Sequence, residues 1–177
     1  MSTLRLRERL IAIAAHEVGT VEIPRNSNTG PRIREYQRAT NLEGTGWPYC
    51  AAFVDWCIRE WIKDEEVRAA FGLKGPHDAE DWRPKTAAAF GLIDWGEKRR
   101  MLIMDDNPIH VLHTADIVVF DFSHVGLLVN DFVKDGISWI KTIDGNTSPD
   151  SGDNEGGGVF VRTRKRSTAK RFIRILA

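Results

Sequence analysis

The sequence predicts an α+β fold, with helices in the first part of the chain packed on an antiparallel sheet of about five strands in the second. Three observations carry this. After Cys50, the apolar residues Phe53, Val54, Cys57, Ile58, Trp61 and Ile62 follow the i, i+1, i+4, i+5, i+8, i+9 rhythm of a buried helix face. The runs Asp116-Ile117-Val118-Val119-Phe120-Asp121 and His124-Val125-Gly126-Leu127-Leu128-Val129 read as two sheet-core strands joined tightly through Phe122-Ser123. Every helical segment precedes every strand, and such segregation defines α+β.

In chain order the helical segments are 4–18, which holds His16, then 31–40, 50–63 and 84–91. Pro48 disfavours helix in the residue before it, so the third helix starts at Tyr49 or Cys50. The strands are 115–121, 124–130, 137–143, 158–164 and 170–176. Residues 148–157, Ser-Pro-Asp-Ser-Gly-Asp-Asn-Glu-Gly-Gly, have the composition of a flexible loop.

At 177 residues, one domain with a real core is expected. Lys and Arg total 25, as do Asp and Glu, so no global charge draws the chain to nucleic acid or to an anionic membrane. The apolar runs are too short to span a bilayer. The start, Met1 to Arg9, is too charged for a secretory signal, which places synthesis in the cytoplasm. Cys50 and Cys57 are seven residues apart on one helix, a rise of about 10 Å, too far for a bridge. The basic stretch Arg162 to Arg174 reads as a solvated hairpin with charged edges rather than a nucleic-acid surface. No cofactor and no metal are expected. Asp150, Asp153 and Glu155 lack the rhythm of a calcium loop, and His110 and His113 lack further ligands.

Cys50 falls in the first turn of its helix, where unpaired N–H groups and the helix dipole favour a thiolate. Cys57, in mid-helix on the same face, reads as core. A nucleophilic cysteine needs a base. Of the five histidines, His124 is placed best, because it opens a core strand and so faces a pocket rim. The strand after it ends in Asp144-Gly145-Asn146-Thr147-Ser148-Pro149. With a period of two, Asp144 and Asn146 project to one side, and either can orient the imidazole. The same six residues also read as a plain turn. Trp47, three residues before Cys50, is placed to line the cleft.

The Pro-x-Cys-Ala-Ala-Phe-Val-x-Trp-Cys, Asp-Ile-Val-Val-Phe…His-Val-Gly and Ile-Asp-Gly-Asn-Thr blocks resemble, in order and spacing, those of CHAP-domain proteins. These are cysteine, histidine-dependent amidohydrolases and peptidases, similar to NlpC-type and papain-like enzymes. The segment Glu17 to Gly30 resembles the N-terminal part of phage and bacterial members, and Asn28 within it is a substrate-binding candidate. The resemblance spans about residues 10 to 176. It implies a papain-like fold, Cys50 as nucleophile and His124 as base. Many relatives have Glu in a Glu-Gly-Asn sequence where this chain has Asp144, one methylene shorter. The third role is therefore open between Asp144 and Asn146, with Asn146 favoured as the direct orienter. Tyr49 stands where relatives often have Trp and is expected as an aromatic wall. Some relatives bind calcium through an acidic motif before the cysteine, which this chain lacks.

The function implied is hydrolysis of peptidoglycan amide bonds, as an N-acetylmuramoyl-L-alanine amidase or a peptide endopeptidase. The setting implied is a monomeric phage endolysin, bacterial effector or autolysin that reaches the wall through a holin or a secretion system, an effector then having an immunity protein as partner. The alternatives are a cysteine peptidase or amidase on a non-wall substrate, and a non-catalytic wall- or partner-binding domain.

Overall fold

The computed structural model describes residues 2–149 and 157–176. The helices are α1 (Thr3–His16), α2 (Pro31–Gln37), α3 (Cys50–Trp61), α4 (Glu65–Ala70), α5 (Pro76–Trp82) and α6 (Gly91–Lys98). The strands are β1 (Leu102–Met104), β2 (Ile117–Phe120), β3 (Val125–Lys134), β4 (Ile137–Thr147), β5 (Gly158–Lys165) and β6 (Ala169–Arg174). They form one open antiparallel sheet in the order β1-β6-β2-β3-β4-β5.

The α+β class follows the sequence expectation, but the sheet has six strands among the described residues, not five. The extra strand, β1, is three residues long and pairs only with β6. Such a segment is too short to display a period. The helix expected over 84–91 is not there. Arg83 is extended, with ψ 162°, as suits a residue before Pro84, and the helix begins only at Gly91. The short helices α4 and α5 were not foreseen. Asp64 caps α4 by accepting the Glu66 N–H at 2.8 Å, and Pro76 supplies a preset φ at the first turn of α5.

The sheet separates two apolar layers by strict alternation. Ile117 and Val119 of β2 face the helices, while Val118 and Phe120 face the other way, toward Leu128, Ile140 and Phe172. The helical layer is built around α3, whose Ala51, Ala52, Phe53, Val54, Cys57 and Ile58 are fully buried. The β3–β4 hairpin turns on Asp135-Gly136, both with positive φ (52° and 72°), as a tight two-residue turn requires.

The stretch 144–147 remains strand rather than becoming a turn, but its pairing with β5 slips between Asp144 and Thr147. At this irregularity α3 comes closest to the sheet. A Cβ on Gly145 would lie 2.6 Å from Phe53 Cβ. Only a residue without a side chain lets β4 and α3 touch here.

The contact gives a direct test. Gly145→Ala should cost about 1–3 kcal/mol through overpacking, read as a lower urea midpoint at unchanged slope. An unchanged midpoint would contradict the close approach.

Candidate active site

Cys50 is the first residue of α3. The N-cap residue, Tyr49, has φ −116° and ψ 18° and makes no side-chain cap. The first helical bond runs from Phe53 N–H to Tyr49 O at 2.8 Å. The amides of the first turn therefore point out of the helix start unclaimed by a cap. Cys50 is nearly buried and lines a cleft of about 600 Å³ together with Trp47, Pro48, Phe122, Ser123, His124 and Asn146.

His124 sits in the connection from β2 to β3. Ser123 takes φ 59°, and the Phe120 N–H donates to His124 O at 2.9 Å to close the turn. The imidazole is buried, stacked on Phe122 with ring centres 5.9 Å apart and planes 16° apart. Its Nε2 bonds Asp144 Oδ2 at 3.0 Å. That leaves Nδ1 unclaimed by Asp144 on a ring that lines the same cleft as Cys50. Asp144 is fully buried, and the same Oδ2 accepts a bond from Arg164 Nη1 at 2.6 Å. Gly126 makes room for this carboxylate, since a Cβ there would fall 2.0 Å from Oδ1.

Burial alone would strip the proton from His124, but the Asp144 carboxylate and the Cys50 sulfur outweigh it and raise the imidazole to about 9. Burial likewise opposes ionisation of Asp144, yet His124 and Arg164 hold the carboxyl below its usual range. A raised histidine stabilises the fold below its ordinary value near 6.5, and that contribution is lost as pH rises through about 9. The chemistry available is that of a thiol beside an imidazolium whose orientation is fixed by a carboxylate.

The expected site residues are not all brought together. Cys50, His124 and Asn146 share the cleft, with Trp47 on its wall. The orienting bond to His124 comes from Asp144, not Asn146. Asn146 has φ 55°, at the slip in the β4–β5 register, so the period of two breaks there. Its Oδ1 is buried and has no hydrogen-bond partner. Tyr49 is no cleft wall. It is fully buried beneath α3, stacked on Tyr36 at 6.1 Å, because the residue before the helix turns into the core. Asn28 lies outside the cleft. Its N–H donates to Glu22 Oε2 and its carbonyl accepts from Gln37 Nε2, which also donates to Trp47 O. Asn28 thus helps to set the loop that carries Trp47.

Sequence reasoning missed Phe122, Leu42, the Ala87-Ala88-Ala89 wall and Arg164. Phe122 had a signal, its place two residues before His124. The alanines had none. Arg164 was hidden in a basic run read as solvated, and that reading is corrected. Arg162, Arg164, Arg166 and Arg174 are turned inward, onto Ser148 O, Asp144, the carbonyls of 106, 107 and 110, and Asp116 respectively. A slightly larger hollow of about 680 Å³ over α1–α3 contains Glu17, Arg32 and Trp56. Glu17 is already bonded by Arg32 and Tyr36 there, and its lining holds neither a thiol nor a hydroxyl side chain.

Among the described residues no group of three or more His, Cys, Asp or Glu is placed to hold a metal ion. His110 pairs with Asp105 at 3.0 Å. Asp150, Asp153 and Glu155 lie outside the described residues. Among the described residues no helix is long and apolar enough to cross a membrane. No family model, no curated protein and no solved structure matches the chain.

The two thiols are free and differ in access. Cys57 is fully enclosed, and burial pushes its thiol well up. Brief iodoacetamide treatment of the native protein should therefore label Cys50 first, by about tenfold or more, as read by peptide mass mapping. Equal labelling would remove the distinction.

Proposed function

We propose that the chain is a cysteine amidohydrolase of the CHAP kind, with a papain-like arrangement, that cleaves amide bonds of peptidoglycan. The single observation that carries the reading is that Cys50, at a helix start, shares one cleft with His124, whose imidazole is bonded from behind by the buried Asp144. The order Cys, His, carboxylate along the chain and a nucleophile helix lying on an antiparallel sheet support the papain-like comparison. The peptidoglycan substrate rests on the resemblance of the sequence blocks. A cleft walled by three alanines and two aromatic rings is compatible with a peptide of small side chains.

In this mechanism the Cys50 sulfur attacks the carbonyl carbon, and the C=O electron pair moves to oxygen. The oxyanion is met by backbone N–H groups at the start of α3, including that of Cys50. His124 gives a proton from Nδ1 to the leaving amine as the C–N bond breaks, leaving a thioester on Cys50. His124 then takes a proton from water, whose oxygen attacks the thioester and releases the acid and the cysteine. Asp144 holds the imidazole in the tautomer both steps need. Synthesis in the cytoplasm, delivery to the wall by a holin or a secretion system, and action as a monomer complete the proposal.

Cys50→Ala should abolish release of amines from purified peptidoglycan, whereas Cys57→Ala should keep most of it. Wild-type rates in Cys50→Ala would end the reading.

The hydrogen bond on Nε2 supports Asp144 rather than Asn146 in the orienting role. Asp144→Asn should lower kcat by about 100-fold or more, and Asn146→Ala by less, with both variants checked for folding. Activity should fall as pH rises through about 9, when His124 loses the proton it must donate. In Asp144→Asn that limb should move to lower pH, because the carboxylate that favours imidazolium is gone.

A further inference from the structure

Arg164 of β5 meets the catalytic pair from two sides. Its Nη1 bonds Asp144 Oδ2 at 2.6 Å and lies 3.4 Å from Thr142 Oγ1. Its guanidinium carbon sits 4.7 Å from the centre of the Phe120 ring and 5.8 Å from that of Phe122. Phe120 and Phe122 are stacked on each other at 5.1 Å, and Phe122 is stacked in turn on His124. We propose that Arg164 is a positioning residue that acts on His124 through Asp144, closing the charge balance of the buried site and backing the aromatic layer that carries the imidazole. This rests on the hydrolase reading of Cys50, His124 and Asp144.

A strand anchor is not enough to explain the arrangement. The pairing of β5 with β4 already runs from Trp139↔Lys165 to Asp144↔Phe160. Nor does Arg164 take the open oxygen. Asp144 Oδ1 is buried without a hydrogen-bond partner, while the guanidinium bonds Oδ2, the atom that also holds His124. Two cationic groups therefore divide one carboxylate oxygen.

The charged and titratable groups that meet here are Cys50 from α3, His124 from the β2–β3 connection, Asp144 from β4 and Arg164 from β5. β2 contributes Phe120. With thiolate and imidazolium formed, the set holds two negative and two positive charges. Without the guanidinium the set carries a net negative charge away from water, and its neighbours bind protons more tightly. His124 would then hold its proton too firmly to give it to a leaving amine near neutral pH.

The test uses Arg164→Gln, which keeps a donor but no charge, Arg164→Met, which keeps the stem's packing, and Arg164→Lys, which keeps the charge. The readout is the pH titration of the His124 ring by NMR, its signal assigned by loss in His124→Gln, with folding followed by circular dichroism. The wild-type midpoint should lie at about 9. In Arg164→Gln and Arg164→Met it should rise by about one pH unit, roughly tenfold in proton affinity, while Arg164→Lys stays at the wild-type position. A folded Gln or Met variant with an unmoved or lowered midpoint overturns the proposal. So does a Lys variant that moves as far as the neutral ones. The ring titration needs no substrate, so a protein that hydrolyses no peptidoglycan refutes the hydrolase reading alone. In an active enzyme, the alkaline limb of kcat should follow the ring.

Discussion

Gly145 carries no side chain at the one place where Phe53 needs the space, and the seating of α3 on the sheet depends on it. Phe53 lies one turn after Cys50, and Gly145 lies between Asp144 and Asn146. One backbone-to-side-chain contact therefore sets the distance between Cys50 and the side chains of β4 around it. The remaining packing follows from that seating. The helix face fits against Ile117, Val119, Val125, Leu127 and Ile143, whose alternation along β2, β3 and β4 leaves no room for another register.

A buried carboxylate is costly unless it is paired and hydrogen-bonded. Asp144 meets that condition with two partners on Oδ2 and with space for Oδ1 opened by Gly126. The two glycines do different work. Gly126 admits a charge into the sheet, and Gly145 admits a helix onto it. The short loop around His124 does a third thing, using a positive φ at Ser123 to stack the imidazole on Phe122 rather than point it along the strand. Each group of the site is held by a different kind of constraint.

How far the site was legible depended on whether its signals were local. Cys50 could be read because Pro48 and the following period fix a helix start. His124 could be read because two apolar runs leave only a tight link between them. The choice between Asp144 and Asn146 was not readable, since a regular strand puts both on one side and only the slip against β5 separates them. Tyr49 misled because adjacency to Cys50 does not show which way a side chain turns at a helix start. Arg164 was lost in a run of basic residues, where composition suggests solvation and only tertiary structure shows four arginines turned inward. The strand β1 and the alanine wall are short, nearly featureless segments that take their roles from their neighbours. The likeness of the sequence blocks to CHAP proteins pointed to the residues, and the geometry separates Asp144, bonded to His124, from Asn146, which is not.

The four interacting groups are drawn from positions 50, 124, 144 and 164 and converge through the order of strands in the sheet. On a ribosome, the thiol emerges long before the imidazole, and the imidazole before its carboxylate and the guanidinium. Contacts across such sequence separations close late in folding. A nascent or interrupted chain that lacks β5 thus carries Cys50, His124 and Asp144 but not the guanidinium that shares the carboxylate oxygen. The partners of the shared carboxylate oxygen are therefore complete only when β5 has joined β4.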